Sequence, residues 1–289
     1  MTAVDPARLR YRAVFVSDVH LGSAGCRVDE FQQFLSAVDC DYLYLVGDII
    51  DLWVVMKAGK WQQAHTDVVR QILSLSKMGV KIYYTPGNHD AFLRRLNGSD
   101  FGNIRIDHSV THVCADGKRL EVVHGDLLDK SVKWVPIAWA AAWAYESVTV
   151  FNGWVNARRK RAGKEQTDFS TILKKRLKKY IGGKTDFEDR LLANALAAGY
   201  DGVVCGHIHR PGIQVGDEGG LYINTGDWVE HGTAVVERDD GKLELVIWDD
   251  LKGLWGQEPR GETPAVKTKR LFRTRRRADR ACASSSTRH

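Results

Sequence analysis

The stretch "AVFVSDVHLG", residues 13–22, decides the fold because an apolar run ends in two polar side chains. Residues 14–16 are typical of a buried β-strand, and Asp18 and His20 follow with one residue between them. On extended chain, positions i and i+2 point to the same side. The pattern therefore predicts that the strand carries both groups to the edge of an α/β sheet at which ligands bind.

The same pattern recurs at four later strand ends. The segments "YLYLVGDIID", "KIYYTPGNHD", "LEVVHGDLLD" and "GVVCGHIHRPG" each run from apolar chain into Asp, Asn or His beside a glycine, which permits sharp turns and close backbone approach. Any one of these polar residues alone would be interpreted as a cap or a hydrogen-bonded core residue. The ordered set predicts one site made of seven side chains: Asp18, His20, Asp48, Asn88, His124, His207 and His209.

The chemistry of these seven side chains indicates a metal centre. They offer oxygen or imidazole nitrogen and no sulfur, a donor set that suits Mn, Fe, Co, Zn or Mg rather than a structural zinc. Seven ligands are too many for one four-coordinate ion and fit two ions that share a carboxylate, as in two-metal hydrolases. We therefore expect two divalent metal ions as cofactors, with Mn²⁺ as the first choice.

The apolar patterning predicts an α/β (α+β) core. Eight runs rich in β-branched and aromatic residues are expected as strands: 13–17, 42–46, 80–85, 120–123, 202–205, 221–223, 233–237 and 243–248. Helical spacing fills the early gaps, with one set at Phe31, Phe34, Leu35 and Val38 and a second at Val68, Val69, Ile72, Leu73 and Leu75. Because "DDG" at 239–241 separates the last two runs, we expect a hairpin there and a mixed sheet.

Composition fits a cytoplasmic protein with a folded body and a basic tail. The 289 residues carry a net charge of +6, but residues 264–289 hold nine Lys and Arg against one acid, so the body is near neutral. The five cysteines are scattered and include no Cys-x-x-Cys, which argues against a disulfide framework and a thiolate zinc site. The charged first residues predict no signal peptide.

Two segments depart from the α/β pattern. Residues 130–185 are Trp-rich and Lys-rich and are predicted to form a helical cap inserted within a domain spanning 10–255. Residues 134–157 contain one charge and have the length of a membrane span, but a span there would separate His124 from His207, so we reject it. Residues 256–289 are expected to be a basic, disordered tail.

The five strand-end motifs together resemble those of a known family. Asp-x-His, Gly-Asp, Gly-Asn-His-Asp, His-Gly-Asp and Gly-His-x-His, in this order over residues 13–228, are similar to the motifs of the calcineurin-like metallophosphoesterases. The resemblance implies a four-layer sandwich of two mixed β-sheets flanked by helices. It also implies that one metal is held by Asp18, His20 and His209, and the other by Asn88, His124 and His207, with Asp48 bridging both.

The resemblance further implies how the reaction proceeds. A water or hydroxide activated by the two ions would attack phosphorus in line with the leaving oxygen. His89 would protonate the leaving group or stabilise charge on the phosphoryl oxygens, and Asp90 would orient His89. Asp51 is equally well explained as an orienting residue or as a turn acid, whereas Asp126 and Asp129 favour structural roles.

A narrower resemblance is to the UDP-2,3-diacylglucosamine pyrophosphatases of lipid A synthesis. "SDVHLG", "GDIIDLW", the insertion before Gly-His-x-His and "GHIHRP" are similar to that group, although His89 stands where those enzymes typically have Arg. The expected substrate is thus an anionic, nucleotide-linked glycolipid. Arg210 is a candidate phosphate contact, although an exposed ion pair explains it equally well. Trp139 and Trp143 are candidate lining residues of an apolar groove for acyl chains, and a helical hairpin packed on the core is the alternative for this segment.

The basic segments leave alternatives open. The tail and the helix "ILKKRLKKYI" are interpreted as solvated surfaces or as peripheral contacts with the anionic inner face of the cytoplasmic membrane. A general phosphodiesterase or nuclease would use the same metals and the tail, but the tail's only aromatic residue is Phe272, which disfavours nucleic acid. A non-catalytic scaffold is disfavoured, because an unoccupied cluster of buried Asp and His is costly.

Overall fold

A computed structural model describes residues 8–58, 61–129 and 187–253 of the chain. The strands are β1 Leu9–Val16, β2 Val38–Leu45, β3 Lys81–Tyr84, β4 Ser99–Phe101, β5 Ile104–Ile106, β6 Val110–Val113, β7 Arg119–Val122, β8 Gly202–Cys205, β9 Gly212–Val215, β10 Leu221–Asn224, β11 Thr233–Glu237 and β12 Leu243–Ile247. The α-helices are α1 Val28–Ala37, α2 Leu52–Ala58, α3 Gln63–Lys77, α4 Phe187–Ala197 and α5 Trp248–Leu251, and two 3₁₀ helices span Ala91–Leu96 and Asp126–Leu128.

The described strands form two mixed sheets. The larger has the order β12-β11-β1-β2-β3-β5-β4, in which β1, β2, β3 and β5 run parallel. The smaller has the order β6-β7-β8-β10-β9, in which β7, β8 and β10 run parallel. Because parallel strands end at the same edge, the polar residues after β1, β2 and β3 lie side by side, as do those after β7 and β8.

Alternation along β1 explains how the layers stack. Val14 and Val16 pack with Phe31 and Phe34 of α1 on the outer face of the larger sheet. Phe15, one residue out of phase, faces the smaller sheet in a core shared by the two sheets. Helix α4 covers the outer face of the smaller sheet through residues such as Phe187 and Leu191. The result is the helix–sheet–sheet–helix sandwich that the resemblance implied.

The sequence located the eight strongest strands, and the structure contains all of them. It missed β4, β5, β6 and β9, which are three or four residues long and only partly buried. Leu73 is a correction: it is 53% exposed rather than on the buried face of α3. The hairpin at 239–241 is present between antiparallel β11 and β12.

Several expectations concern residues outside those that the structure describes. They include the cap at 130–185 with Trp139 and Trp143, and the tail at 256–289, so the domain boundaries stay predictions. Within the described ranges, none of the helices combines the length and the apolar character needed to cross a membrane. The described cysteines, Cys26, Cys40, Cys114 and Cys205, are free thiols.

Candidate metal centre

The seven predicted ligands follow the C-terminal ends of five strands that meet at one edge of the sandwich. Asp18 and His20 follow β1, Asp48 follows β2, Asn88 follows β3, His124 follows β7, and His207 and His209 follow β8. We call these seven residues the strand-end cluster. Three of its members, Asp18, His20 and His209, place ligand atoms within 4.8 Å of one another, and Asp18, Asp48 and His124 do the same.

The backbone of the strand-end cluster is unusual. Among the described residues, the non-glycine residues with positive φ are Asp18, His20, Asp48, His207 and His209, with values from 50° to 70°. All five are predicted ligands. The left-handed conformation costs a non-glycine residue free energy and persists where the surroundings enforce it, often at functional sites. Asp18 and His20 thus lie past the end of β1 on tightly turned backbone, and the extended geometry expected from the sequence is wrong in this detail.

Glycines allow the strand ends to approach one another. A Cβ at Gly87 would lie 2.3 Å from Oδ1 of Asp48, and one at Gly206 would lie 2.4 Å from Oδ2 of Asp18. Gly47 has a φ of 78°, and a Cβ there would lie 2.4 Å from Nδ1 of His124. Side chains at these positions would therefore displace the predicted ligands, which explains why glycine accompanies them.

Asp18 presents one carboxylate oxygen to the centre and has its other oxygen occupied. Oδ2 accepts hydrogen bonds from the Ser17 hydroxyl at 2.5 Å and from the backbone N–H of His207 at 3.0 Å. Oδ1 lies 3.1 Å from Nε2 of His209 and 3.9 Å from Nε2 of His20. The Ser17 hydroxyl also contacts Oγ1 of Thr225 at 2.5 Å. Asp18 is therefore held in a fixed orientation that directs Oδ1 toward the two histidines.

Asp48 and His124 form the second half of the cluster. Oδ1 of Asp48 accepts the backbone N–H of His89 at 2.7 Å, and Oδ2 lies 3.3 Å from Nε2 of His124. Nδ1 of His124 lies 2.8 Å from the carbonyl oxygen of Val46, which fixes Nδ1 as the protonated nitrogen. The ring of His207 lies beside that of His124, with centroids 5.3 Å apart.

Buried atoms without hydrogen bonds test whether the cluster fits metal ions. The buried side-chain atoms of the described residues that form no hydrogen bond include three in the strand-end cluster: Oδ1 of Asp18, Oδ1 of Asn88 and Nε2 of His124. An unsatisfied buried polar group is costly, so such atoms are rare unless a ligand completes them. All three belong to predicted ligands and are lone-pair donors of the type that Mn²⁺, Fe²⁺ and Zn²⁺ accept. The residues therefore fit a divalent metal centre.

Electrostatics in the cluster couple the imidazoles to the carboxylates. Burial disfavours the charged form of Asp48, but neighbouring His124 outweighs it and lowers the pKa of Asp48 well below its usual value. Burial likewise opposes the charge on His124, and Asp48 overcomes this to raise the pKa of His124 to about 10. A metal ion must displace such a proton, so cations and protons compete for this cluster.

His89 is positioned by three neighbours at the edge of the cluster. Its Nδ1 lies 3.1 Å from Oδ1 of Asp51, and its ring stacks on the indole of Trp53 with centroids 4.6 Å apart. The ring of His20 meets it edge-on, also at 4.6 Å. Burial lowers the pKa of His89, but the contact with Asp51 and the negative charges of Asp48, Asp51 and Asp90 together outweigh this, and the net shift is upward. His89 can therefore carry a proton beside the predicted metal ligands.

The expectation that Asp90 orients His89 is corrected by the structure. The Asp90 carboxylate is fully buried and accepts the backbone N–H groups of Gly87 at 2.6 Å and Ile49 at 2.9 Å. It also accepts the hydroxyl of Tyr84 at 2.5 Å. Asp90 thus fixes the backbone turn after β3. The orienting contact to His89 comes from Asp51, which sequence reasoning left undecided.

Other acids near the cluster differ in role. Asp126 accepts two hydrogen bonds of 2.7 Å from Arg94, in agreement with the structural role expected for it. Asp129 was expected to be structural too, but its Oδ2 lies 3.0 Å from Nε2 of the predicted ligand His207. Asp227 is buried, contacts His231 and has Oδ2 3.9 Å from Nδ1 of His209. From the sequence, Asp227 is explained equally well as a residue at the edge of the site or by packing alone. The contacts of Asp129 with His207 and of Asp227 with His209 join distant loops, so sequence spacing does not show them.

Of the three candidate substrate residues, the structure describes Arg210. Arg210 directly follows His209 and is exposed at the edge of the cluster. Burial raises the pKa of Glu188, and the positive charge of Arg210 partly offsets that rise. Trp139 and Trp143 lie outside the described residues.

Comparison with known proteins agrees with the geometry. Residues 11–211 match the family model described as calcineurin-like phosphoesterase. The chain is 26% identical over 241 residues to UDP-2,3-diacylglucosamine hydrolase of Shewanella sp. (strain MR-7), covering 80% of this chain and 95% of that protein. It is 27% identical over 244 residues to the protein of the same name from Xanthomonas campestris pv. campestris (strain B100), covering 79% and 96%.

Among solved structures, the chain is similar to an archaeal phosphodiesterase, with 14% identity, a TM-score of 0.39 and coverage of 81% of this chain and 98% of that one. The family match covers more than half of the 289 residues. It includes all seven residues of the strand-end cluster. The chain therefore belongs to the calcineurin-like phosphoesterase family.

Proposed function

We propose that this phosphoesterase hydrolyses the pyrophosphate bond of UDP-2,3-diacylglucosamine or a similar nucleotide-linked lipid, a step of lipid A biosynthesis. The relatives from Shewanella and Xanthomonas carry the name of that hydrolase and match across nearly their whole length. The observation that carries the chemistry is the set of buried, unsatisfied ligand atoms on Asp18, Asn88 and His124. Such atoms are expected where a protein holds divalent cations.

The ligand assignment is part of the proposal. Asp18, His20 and His209 would hold one ion, Asn88, His124 and His207 the other, and Asp48 both. We propose Mn²⁺ as the metal, with Fe, Co, Zn or Mg as alternatives. When bound, the ions supply a nucleophile at neutral pH and offset the negative charge of the phosphoryl oxygens. The fixed orientation of Asp18 by Ser17 and of His124 by Val46 supports this assignment.

His89 is proposed as the catalytic proton donor. Asp51 holds its Nδ1, which leaves Nε2 to meet the leaving-group oxygen. The raised pKa of His89 favours the protonated form required of an acid. Trp53 and His20 restrict the ring to one plane, so the proton is presented in a defined direction.

Substrate and membrane contacts complete the proposal. Arg210 is exposed beside His209, where a second phosphate of the substrate could pair with its guanidinium. The apolar segment around Trp139 and Trp143 is proposed to receive acyl chains, and the basic segments to contact the anionic cytoplasmic face of the membrane. These parts rest on sequence alone.

A substrate screen tests the proposal. Full-length protein loaded with Mn²⁺ should release UMP from UDP-2,3-diacylglucosamine, and Asp48→Ala should not. Bis(p-nitrophenyl) phosphate, cyclic nucleotides, DNA and RNA are run in parallel. Turnover of these compounds without release of UMP would refute the lipid substrate and favour a general phosphodiesterase or nuclease.

A further inference from the structure

The predicted histidine ligands differ in which ring nitrogen is already engaged. Nδ1 of His124 contacts the Val46 carbonyl oxygen at 2.8 Å, and Nδ1 of His20 lies 3.4 Å from Oδ2 of Asp51. His209 directs Nε2 toward Asp18, at 3.1 Å. In these three, Nε2 is the nitrogen that faces the cluster. His207 is the exception, because its Nε2 lies 3.0 Å from Oδ2 of Asp129.

We propose that Asp129 is a positioning residue that accepts the Nε2 proton of His207 and thereby leaves Nδ1 of that ring as the metal ligand. This inference rests on the dinuclear centre of the proposed function and not on the identity of the substrate. A metal-bound histidine usually donates its other N–H to a carboxylate or carbonyl, which fixes its tautomer and increases its basicity. Asp129 is in position to perform this task for His207.

Hydrogen bonds hold the loop that carries Asp129 beside the cluster. His124 and Asp129 stand five residues apart on the same loop, and the 3₁₀ turn between them is closed by hydrogen bonds from Leu128 N to Gly125 O and from Asp129 N to Asp126 O, both 3.1 Å. Two 2.7 Å bonds from Arg94 to Asp126 anchor this turn.

One loop therefore supplies a predicted ligand, His124, and the partner of a second ligand from β8. His207 itself is constrained from the other side, because its ring contacts that of Phe187 with centroids 5.9 Å apart. Its backbone N–H is bound to Asp18 at 3.0 Å, with a φ of 70°. With the backbone fixed, the ring orientation depends on its side-chain partners, of which Asp129 forms the hydrogen bond.

The test is metal binding rather than turnover. Metal-free full-length protein is titrated calorimetrically with Mn²⁺, and Asp129→Ala is expected to weaken one of the two sites about 10- to 100-fold, the usual effect of removing an outer partner. Asp129→Asn keeps an acceptor oxygen and should stay closer to wild type. Asp116→Asn is the matched control, because Asp116 is part of an exposed pair with Lys118 away from the cluster.

Two further measurements separate positioning from a general loss of structure. In a His207→Ala background, Asp129→Ala should cause no additional loss of Mn²⁺ affinity, because the partner it acts through is gone. Long-range ¹H–¹⁵N spectra of the metal-free protein should show His207 protonated on Nε2 in wild type and lose that tautomer preference in Asp129→Ala.

Equal or tighter Mn²⁺ binding by Asp129→Ala would overturn the inference, since Asp129 would then hold His207 away from the metal. Loss of both sites together with a lowered melting temperature would also overturn it, in favour of a structural role. Because no lipid substrate enters these experiments, they can succeed even if UDP-2,3-diacylglucosamine is not cleaved.

Discussion

The strand-end cluster and a second buried cluster of histidine and carboxylate, both among the described residues, differ in how their polar atoms are satisfied. The strand-end cluster contains ligand atoms on Asp18, Asn88 and His124 without hydrogen bonds among the described residues. The second, which we call the inter-sheet cluster, consists of Arg12, Tyr44, His112 and Glu237 between the two sheets. Its members His112 and Glu237, together with neighbouring Cys114, also place ligand atoms within 4.8 Å of one another.

In the inter-sheet cluster, every nitrogen and carboxylate oxygen of the central pair has a partner. His112 bonds Tyr44 through Nδ1 and Glu237 through Nε2, both at 2.8 Å. Glu237 also accepts Arg12 at 2.6 Å and the backbone N–H of Ala115 at 2.7 Å. Proximity of histidine and acid therefore does not identify a metal site. The two clusters differ because the strand-end cluster contains unsatisfied ligand atoms and non-glycine residues on left-handed backbone, whereas the central pair of the inter-sheet cluster contains neither.

The largest effect is expected from the carboxylate proposed to serve both ions. Asp48→Ala should lower kcat by at least about 10³-fold, equivalent to about 4 kcal/mol, because both ions lose a ligand. Phosphodiester hydrolysis and metal content of the purified variant are the measurements, and circular dichroism checks that it folds. A variant that keeps both ions and full activity would remove the distinction between the two clusters.

A substitution in the inter-sheet cluster should lower the stability of the protein and leave its activity unchanged. Glu237→Ala is expected to reduce the free energy of unfolding by about 3 kcal/mol, because it leaves His112 and Arg12 without their buried partner. Turnover per folded molecule should remain at the wild-type level. Urea unfolding followed by fluorescence measures the loss. A Glu237→Ala protein that unfolds like wild type but loses bound metal would instead identify this cluster as a second metal site.

A substitution of His89, which lies at the edge of the strand-end cluster, distinguishes a proton donor from a metal ligand. His89→Ala should reduce kcat about 100-fold, the typical contribution of a general acid, while metal content stays near normal. His108→Ala serves as control, because His108 is exposed and matches no motif. The measurements are steady-state kinetics and metal analysis. If His89→Ala strips the metal, its role is that of a ligand and our assignment is wrong.

The sequence predicted the seven residues of the strand-end cluster because each follows an apolar run, and such runs end at a common edge in parallel sheets. It could not predict that Asp18 and His20 lie on left-handed backbone, since that depends on packing between strand ends. It assigned the orienting contact of His89 to Asp90, the nearest acid in sequence. The contact comes from Asp51, which a separate loop brings within 3.1 Å.

The inter-sheet cluster was not predictable for a related reason. His112 lies on β6, a four-residue strand with little apolar signal, and matched no motif. Its partners Tyr44 and Glu237 lie on β2 and β11 of the other sheet, so only the packing of the two sheets brings them together. Sequence patterns thus identify residues that share a strand end, whereas contacts across layers require the fold.

The smallest predicted effect is a pH dependence of the free energy of unfolding that comes from Glu237 and not from the metal centre. Burial raises the pKa of Glu237, but the hydrogen bonds from His112 and Ala115 outweigh it, so the folded-state pKa is lowered. A lowered pKa contributes stability above the unfolded-state value of about 4.3, and this is lost as the pH falls through the folded-state pKa.

Glu237→Gln should therefore be less stable than wild type by about 1.5 kcal/mol at pH 7. This difference should shrink below about pH 4.3, as measured by urea unfolding of metal-free protein across pH. A difference that stays constant down to pH 3 would mean that the charge of Glu237 contributes nothing, and that shape alone holds the two sheets together at this point.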